Sequence, residues 1–303
     1  MTMSLTGKHA IITGGGSGIN LAFAKKLLSC GCSVLVGDLN LRPEAQELLE
    51  KHSTDAPSMI FQKTDVTSWP QLSALFQRGE TEWKNIDIVV PGAGIFEPAW
   101  SSFWHPPKTP TNPNSPSKDD ANGNPGHYSV LDINLTHPIR LSQLAIAHWT
   151  KRRMPGSLLV VGSMAGYMHG LGSPLYFASK HGAQAFVRSL GSLRDPLGIR
   201  SMLIAPGVVD TPLWNGKIDP KKNNAGFNGM AASPEQIADA MLVLIENSAY
   251  GDGTIMECTV KGTQIIPAYN LPPPNMSEGG MAEYEEEVER SLLERISKQG
   301  LDV

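Results

Sequence analysis

The chain has 303 residues, and 25 Lys and Arg against 29 Asp and Glu leave a formal net charge of −4. With no dense Lys/Arg run it lacks the basic footprint that phosphate neutralisation requires, which excludes a nucleic-acid binder. Hydrophobic residues make up 41%, enough for a large core. However, no apolar stretch approaches the roughly 18 residues of a membrane span, and the opening MTMSLTGKHA lacks a signal-peptide core, so a cytoplasmic protein is expected. Cys30, Cys32 and Cys258 are an odd, sparse set and are read as reduced thiols. The eight histidines form no HExxH or related spacing, so no metal is expected.

In chain order, the strand HAIITG leads to a helix from about Gly18 to Cys30. The strand SVLVGD, a helix from about Pro43, the strand MIFQKTD, a helix near Leu72 and the strand IDIVVPGAG follow. After Gly126 the rhythm resumes with a long helix over about Tyr128 to Thr150, the strand SLLVVGS, a helix from about Pro174 to Leu193 and the strand RSMLIAP. A helix over about Pro234 to Asn247 and the strand GTIMECT close the series. This alternation predicts crossover units, hence a doubly wound parallel α/β sheet of seven strands, a Rossmann architecture.

Two stretches break the rhythm. Residues 96–127 carry seven prolines among Ser, Asn, Asp and Lys and are expected to form an inserted loop, with an aromatic base folded inward and residues 107–126 projecting to solvent. After LPPP at 271–274, the recurrence of Met281, Tyr284, Val288, Leu292 and Ile296 marks a narrow apolar stripe on a charged helix, which should dock on something. The expected division is a dinucleotide-binding domain over 1–270, which includes the catalytic site and the insert, and a C-terminal extension over 271–303.

The segment TGGGSGIN follows the first strand and opens the first helix, where a dinucleotide pyrophosphate would rest on free amides and the helix dipole. Gly14, Gly16, Ser17, Gly18 and Ile19 are the candidate contacts. Gly14 allows the tight turn, and Gly18 lets backbone approach phosphate. Asp38 ends the second strand twenty residues after Gly18, where a carboxylate can accept from an adenosine ribose and repel a 2′-phosphate. Together with an uncharged glycine turn, it favours NAD over NADP.

Tyr176 and Lys180 in YFASK share one helix face. Y-x-x-x-K alone is common by chance. Here Ser163 ends the preceding strand at a sheet edge where α/β proteins place ligands, Asn134 lies in the helix before it, and PGVVDT follows the next strand at 206–211. With TGGGSGI, Asp38, the Asp65-Val66 pair and GAG at 92–94, these pieces fall in an order that resembles the short-chain dehydrogenase/reductase family over roughly residues 5–262. The glycine turn, YFASKHG and LIENSAYGDGTIMECT look most like its NAD-dependent 15-hydroxyprostaglandin dehydrogenase branch and fungal relatives.

The resemblance implies that Tyr176 acts as a base on a substrate alcohol. A free phenol has a pKa of about 10, and the Lys180 ammonium would have to lower it. It implies that Ser163 donates to the substrate oxygen, that Lys180 binds the ribose and, with Asn134, forms a proton relay. Asp65 and Val66 would contact adenine. Gly92, Ala93 and Gly94 would leave room for the adenosine, while Pro206, Gly207, Val209 and Thr211 would hold the nicotinamide end. Two positions depart from the family pattern: Asn20 replaces the usual third glycine, and Pro91 replaces an asparagine that ties neighbouring strands. Local adjustment of the turn, or weaker cofactor binding, should follow.

Trp100, Trp104, Met164 and Trp214, with Phe103, Met168, Leu213 and Phe227, are the candidate substrate contacts, an apolar set suited to a bulky lipophilic alcohol. The expected activity is oxidation of a secondary alcohol to a ketone with NAD. Carbonyl reduction at the same site, or a non-redox dinucleotide-binding or cyclase-type role, are the alternatives. The resemblance further suggests a homodimer or homotetramer, to which the apolar excess of LSQLAIAHW would contribute.

Overall fold

The computed structural model describes residues 3–123, 126–214, 231–268 and 281–301, with Trp214 and residues 281–286 described by their backbone alone. Eight strands form one sheet: β1 His9–Thr13, β2 Ser33–Asp38, β3 Met59–Lys63, β4 Ile88–Val90, β5 Gly156–Val161, β6 Ile199–Pro206, β7 Asp252–Thr259 and β8 Gly262–Ile265. Their order is β3-β2-β1-β4-β5-β6-β7-β8. All neighbours from β3 to β7 pair in parallel. Strand order reverses between β1 and β4, which opens a crevice beyond their carboxyl ends.

The helices are α1 Gly18–Ser29, α2 Pro43–Lys51, α3 Trp69–Trp83, α4 Ser129–Leu131, α5 His137–Arg152, α6 Pro174–Ser189, α7 Arg194–Leu197, α8 Pro234–Glu246 and α9 Met281–Gln299. Successive strand residues feed opposite faces of the sheet. Ile12, Val34, Val36 and Ile204 pack with Phe23 and Leu27 of α1 and Met241 of α8. Ile11, Leu35, Val89 and Leu203 pack with Leu72 and Leu75 of α3, Trp149 of α5 and Val187 of α6. Burial on both faces explains why the strands read as unbroken apolar runs instead of alternating ones.

The expected seven strands become eight because Thr259 pairs with Gly262 across a two-residue turn and returns the chain antiparallel along β7. All four residues of β8 are exposed, so it has no apolar face for the sequence to advertise. The predicted helix over 128–150 is interrupted by a wider, π-helical turn at Asp132–Thr136, and α6 stops at Ser189, four residues short of its predicted end.

Within the insert, the described residues form no helix or strand, only isolated bridges between Ser102 and His105 and between Thr109 and Asn112. Its second half does not simply project to solvent. Ser115, Ser117 and Asp119 are buried, because Ser115 Oγ donates to the Pro106 carbonyl at 2.6 Å and Asp119 Oδ1 accepts from the Ser129 amide at 3.0 Å. The tail helix α9 docks on its own chain near its end: Ile296 is buried, and the Leu301 amide donates to Thr150 Oγ1 at 3.1 Å. Val288 and Leu292, from the same stripe, stay exposed.

Candidate active site

A cavity of about 640 Å3 lies beyond the carboxyl ends of the parallel strands. Its lining includes Asp38, Asp65, Val66 and the turn carrying Gly14, Ser17, Gly18 and Ile19, together with Gly92, Ala93, Gly94, Ser163, Met164, Tyr176, Lys180, Pro206, Gly207, Val209 and Thr211. Thr211 stands beside the glycine turn, 3.4 Å from where a Cβ on Gly18 would lie. The crossover topology thus gathers residues spread over about two hundred positions into one crevice.

The glycine turn is sterically required. Gly14 has φ +73°, and a Cβ there would lie 2.7 Å from Ala93 Cα; a Cβ on Gly16 would sit 2.2 Å from the Asn40 carbonyl. Gly16 lies behind the lining, and its amide donates to Asp38 Oδ2 at 2.8 Å. The Asp38 carboxylate is therefore fixed against the turn while still facing the cavity.

Asn20 belongs to this wall through contacts that the sequence does not announce. Its Nδ2 donates to the Gly92 carbonyl at 2.9 Å, and its buried Oδ1 has no hydrogen-bond partner. A Cβ at 92 would fall 2.4 Å from the Asn20 side chain, so any other residue at 92 would displace the Asn20 amide from this bond. Asn20 thus ties α1 to the turn after β4.

A second tie runs through Thr13 and His137. The Gly92 amide donates to Thr13 Oγ1 at 3.0 Å, and Thr13 Oγ1 lies 2.9 Å from His137 Nε2. His137 Nδ1 is 3.0 Å from the Ile133 carbonyl, which assigns the ring proton to Nδ1 and makes Nε2 the acceptor for the threonine hydroxyl. Complete burial pushes His137 down to about 4, so the imidazole is neutral.

Elsewhere in the lining, Ser163 Oγ accepts from the Ala165 amide at 3.1 Å and faces Tyr176, whose ring is partly buried. Lys180 is 6% exposed; its Nζ donates to the Val161 carbonyl at 3.1 Å and lies 5.8 Å from the Tyr176 ring centroid. Asn134 sits in the wide helical turn behind Gly94, where its Oδ1 accepts from the Ile95 amide at 2.9 Å and its Nδ2 donates to the Ile95 carbonyl at 2.8 Å. A Cβ on Gly94 would lie 3.4 Å from Asn134 Oδ1 and 3.7 Å from Lys180 Nζ, so both groups converge on that glycine.

Burial lowers Lys180 to about 8. Tyr176 is also shifted by burial, upward, against which the Ser163 hydrogen bond acts. The downward push expected from the Lys180 ammonium is not among the causes of this shift.

Among the anticipated substrate contacts, Met164 lines the cavity, together with Ile95, Met168, Phe177, Val208 and Leu213. Trp100 and Trp104 do not. The Lys118 ammonium lies 5.8 Å from the Trp100 ring centroid, and Trp104 stays half exposed while its Nε1 donates to the Leu171 carbonyl at 2.6 Å. The insert's aromatic base is spent on fastening the loop. The Trp214 side chain and Phe227 lie outside the described residues. No cluster of ligand-bearing side chains suited to a metal occurs among the described residues, and none of their helices is long and apolar enough to cross a membrane.

A family model described as short chain dehydrogenase matches residues 8–223. The chain belongs to the short-chain dehydrogenase family. It is similar to 15-hydroxyprostaglandin dehydrogenase [NAD(+)] of Bos taurus, at 28% identity covering 90% of this chain and 99% of that one. It is also similar to cis-4-hydroxycyclohexanecarboxylate dehydrogenase of Sinomonas cyclohexanicum, at 30% identity covering 79% and 90%. A crystal structure of a short-chain type dehydrogenase/reductase from Mycobacterium marinum superposes with a TM-score of 0.66 at 20% identity, covering 84% of this chain and 94% of that one, a likeness of fold. This short-chain dehydrogenase is thus an oxidoreductase-family member, with hydroxyl-oxidising enzymes among its relatives.

Proposed function

We propose that the protein oxidises a secondary alcohol of a bulky, lipophilic small molecule to a ketone with NAD. The observation that carries this reading is one cavity lined both by Asp38 with a glycine turn and by Ser163, Tyr176 and Lys180. The turn suits a dinucleotide because it brings backbone without side chains to the cavity at Gly14 and Gly18, and Cβ atoms at Gly14 and Gly16 would collide with neighbouring backbone. Asp38 is an acceptor for a ribose diol and repels a 2′-phosphate, which supports NAD over NADP. Bound there, NAD supplies the two-electron acceptor for the hydrogen on the alcohol carbon.

The rest falls to the chain. Tyr176 takes the proton from the substrate hydroxyl, and the Ser163 hydroxyl donates to the substrate oxygen to fix its orientation. The Lys180 ammonium binds the cofactor ribose, and Asn134 extends the proton path from Lys180 past Gly94. Asp65 and Val66 flank the adenine end, while Thr211 and the amide of Val209 border the carboxamide end. The substrate class follows from the apolar wall of Ile95, Met164, Met168 and Phe177 beside Ser163. The reading is completed by a cytoplasmic setting and a homodimer or homotetramer.

The test is spectrophotometric. Purified protein is given NAD or NADP and a panel of secondary alcohols of increasing bulk and polarity, and reduced cofactor is followed by absorbance. Turnover with NAD that rises with apolar bulk is expected; no turnover with any alcohol, despite binding of NAD, contradicts the reading.

A further inference from the structure

A helix leaves its first amides without intrahelical partners, and the helix starts that carry Tyr176 and Asn134 both lack a side-chain cap of their own. In α6 Pro174 has no amide proton and the Phe177 amide reaches the Ser173 carbonyl at 3.2 Å, so Leu175 and Tyr176 are left over. Glu97, a buried residue of the insert, meets one of them: its Oε2 accepts from the Tyr176 amide at 3.0 Å. Its Oε1 accepts from Ser102 Oγ at 2.8 Å and from the Phe103 amide at 2.9 Å. The preceding residue packs on the same tyrosine, with ring centroids of Phe96 and Tyr176 4.8 Å apart.

The other helix start is held likewise. In the continuous helical run from Ser129, the Leu131 and Asp132 amides already bond the Tyr128 carbonyl. The two left over are met by the insert: the Ser129 amide donates to Asp119 Oδ1 at 3.0 Å and the Val130 amide to Ser101 Oγ at 3.0 Å. Ser101 is fully buried and Asp119 nearly so.

We propose that the inserted segment is a positioning device, in which Glu97 fixes the backbone of Tyr176 and Ser101 and Asp119 fix the start of the helix bearing Asn134. The inference rests on the role of Tyr176 proposed above. Glu97 is a positioning residue that works through the α6 start, where its negative charge also lies favourably on the helix dipole. A carboxylate serves here because one side of the group must accept from the tyrosine amide while the other accepts from two donors of its own loop.

The decisive comparison is Glu97→Ala against Glu97→Gln. Gln keeps the size and one acceptor oxygen for the Tyr176 amide, while its NH2 can donate to the Ser102 hydroxyl and only the Phe103 amide loses its partner; Ala removes size and acceptors alike. We expect kcat to fall by at least about 10-fold in Glu97→Ala, with the KM values for alcohol and NAD and the NADH affinity within about twofold, and most of kcat to be regained in Glu97→Gln; 10-fold is about the worth of one charge-assisted hydrogen bond. Equal loss in both variants, or a change confined to KM, overturns the proposal. Amide hydrogen exchange gives an arm independent of turnover: Glu97→Ala should speed exchange at residues 175–178 and 102–104 and leave 10–13 unchanged. Unaltered exchange at 175–178 overturns the brace even if no alcohol is oxidised, whereas an inactive wild type with the expected exchange change overturns only the proposed reaction.

Discussion

Lys180 places chemistry and stability in opposition. Its ammonium is buried and lowered to about 8 from the ordinary lysine value of about 10.5, so at neutral pH the folded protein carries a charge it would rather shed. Below pH 8 both folded and unfolded states bind the proton and the penalty is complete; it fades as pH rises from about 8 to 10.5, where only the unfolded state holds the proton. Lys180→Met should therefore remove activity and, relative to the unmutated protein, be more favourable to stability at pH 7 than near pH 10.5, where the penalty on the ammonium has gone; urea unfolding at the two pH values checks it. His137 runs the same way at lower pH: it is neutral when folded and lowered to about 4, so stability should drop as pH falls from about 6.5 toward 4. Asp38→Ala should erode the preference for NAD over NADP, read as the ratio of kcat/KM values. Asp38, Ser163, Tyr176 and Lys180 were legible because each falls at a fixed offset from a strand end or shares a helix face. Asn20 with Gly92, and Thr13 with His137, were not, because no local period links residues 72 and 124 positions apart.

At the scale of elements, the parallel strands and their helices could be read from apolar runs and glycine turns, while the elements without an apolar face could not. β8 is exposed throughout, and the wide turn at Asp132–Thr136 follows from packing Asn134 against the Ile95 backbone, which sequence spacing does not encode. The insert misled because its composition signals irregular chain, and irregular chain can still be buried when its serines and aspartates serve backbone amides. Asp119→Ala should cost about 1 kcal/mol, the worth of a helix cap, in urea unfolding. Deleting residues 108–124 should then lower kcat more than it raises KM, because the segment removed includes Asp119 and no residue lining the cavity.

For the whole molecule, the apolar excess of LSQLAIAHW finds its partners within the chain. Of these nine residues only Gln143 is exposed, with the far end of α5 meeting α3, the sheet and the end of α9. The segment therefore gives no independent argument for a subunit interface, and assembly rests on the family likeness. The tail instead acts as a clasp. Truncation after residue 280 should uncover the Ile296 and Leu301 contacts on α5 and lower the melting temperature without altering NADH affinity. Both faces of the sheet, both ties at Gly92 and the insert converge on holding one phenol near one serine hydroxyl in the cavity beyond the strand ends. The most direct measurement is turnover and NADH binding in Tyr176→Phe, which deletes the phenol oxygen alone. Turnover lower by at least about 100-fold, the usual worth of a positioned acid–base group, with NADH affinity within about twofold, is the predicted result; retention of more than about a tenth of the activity would contradict the account.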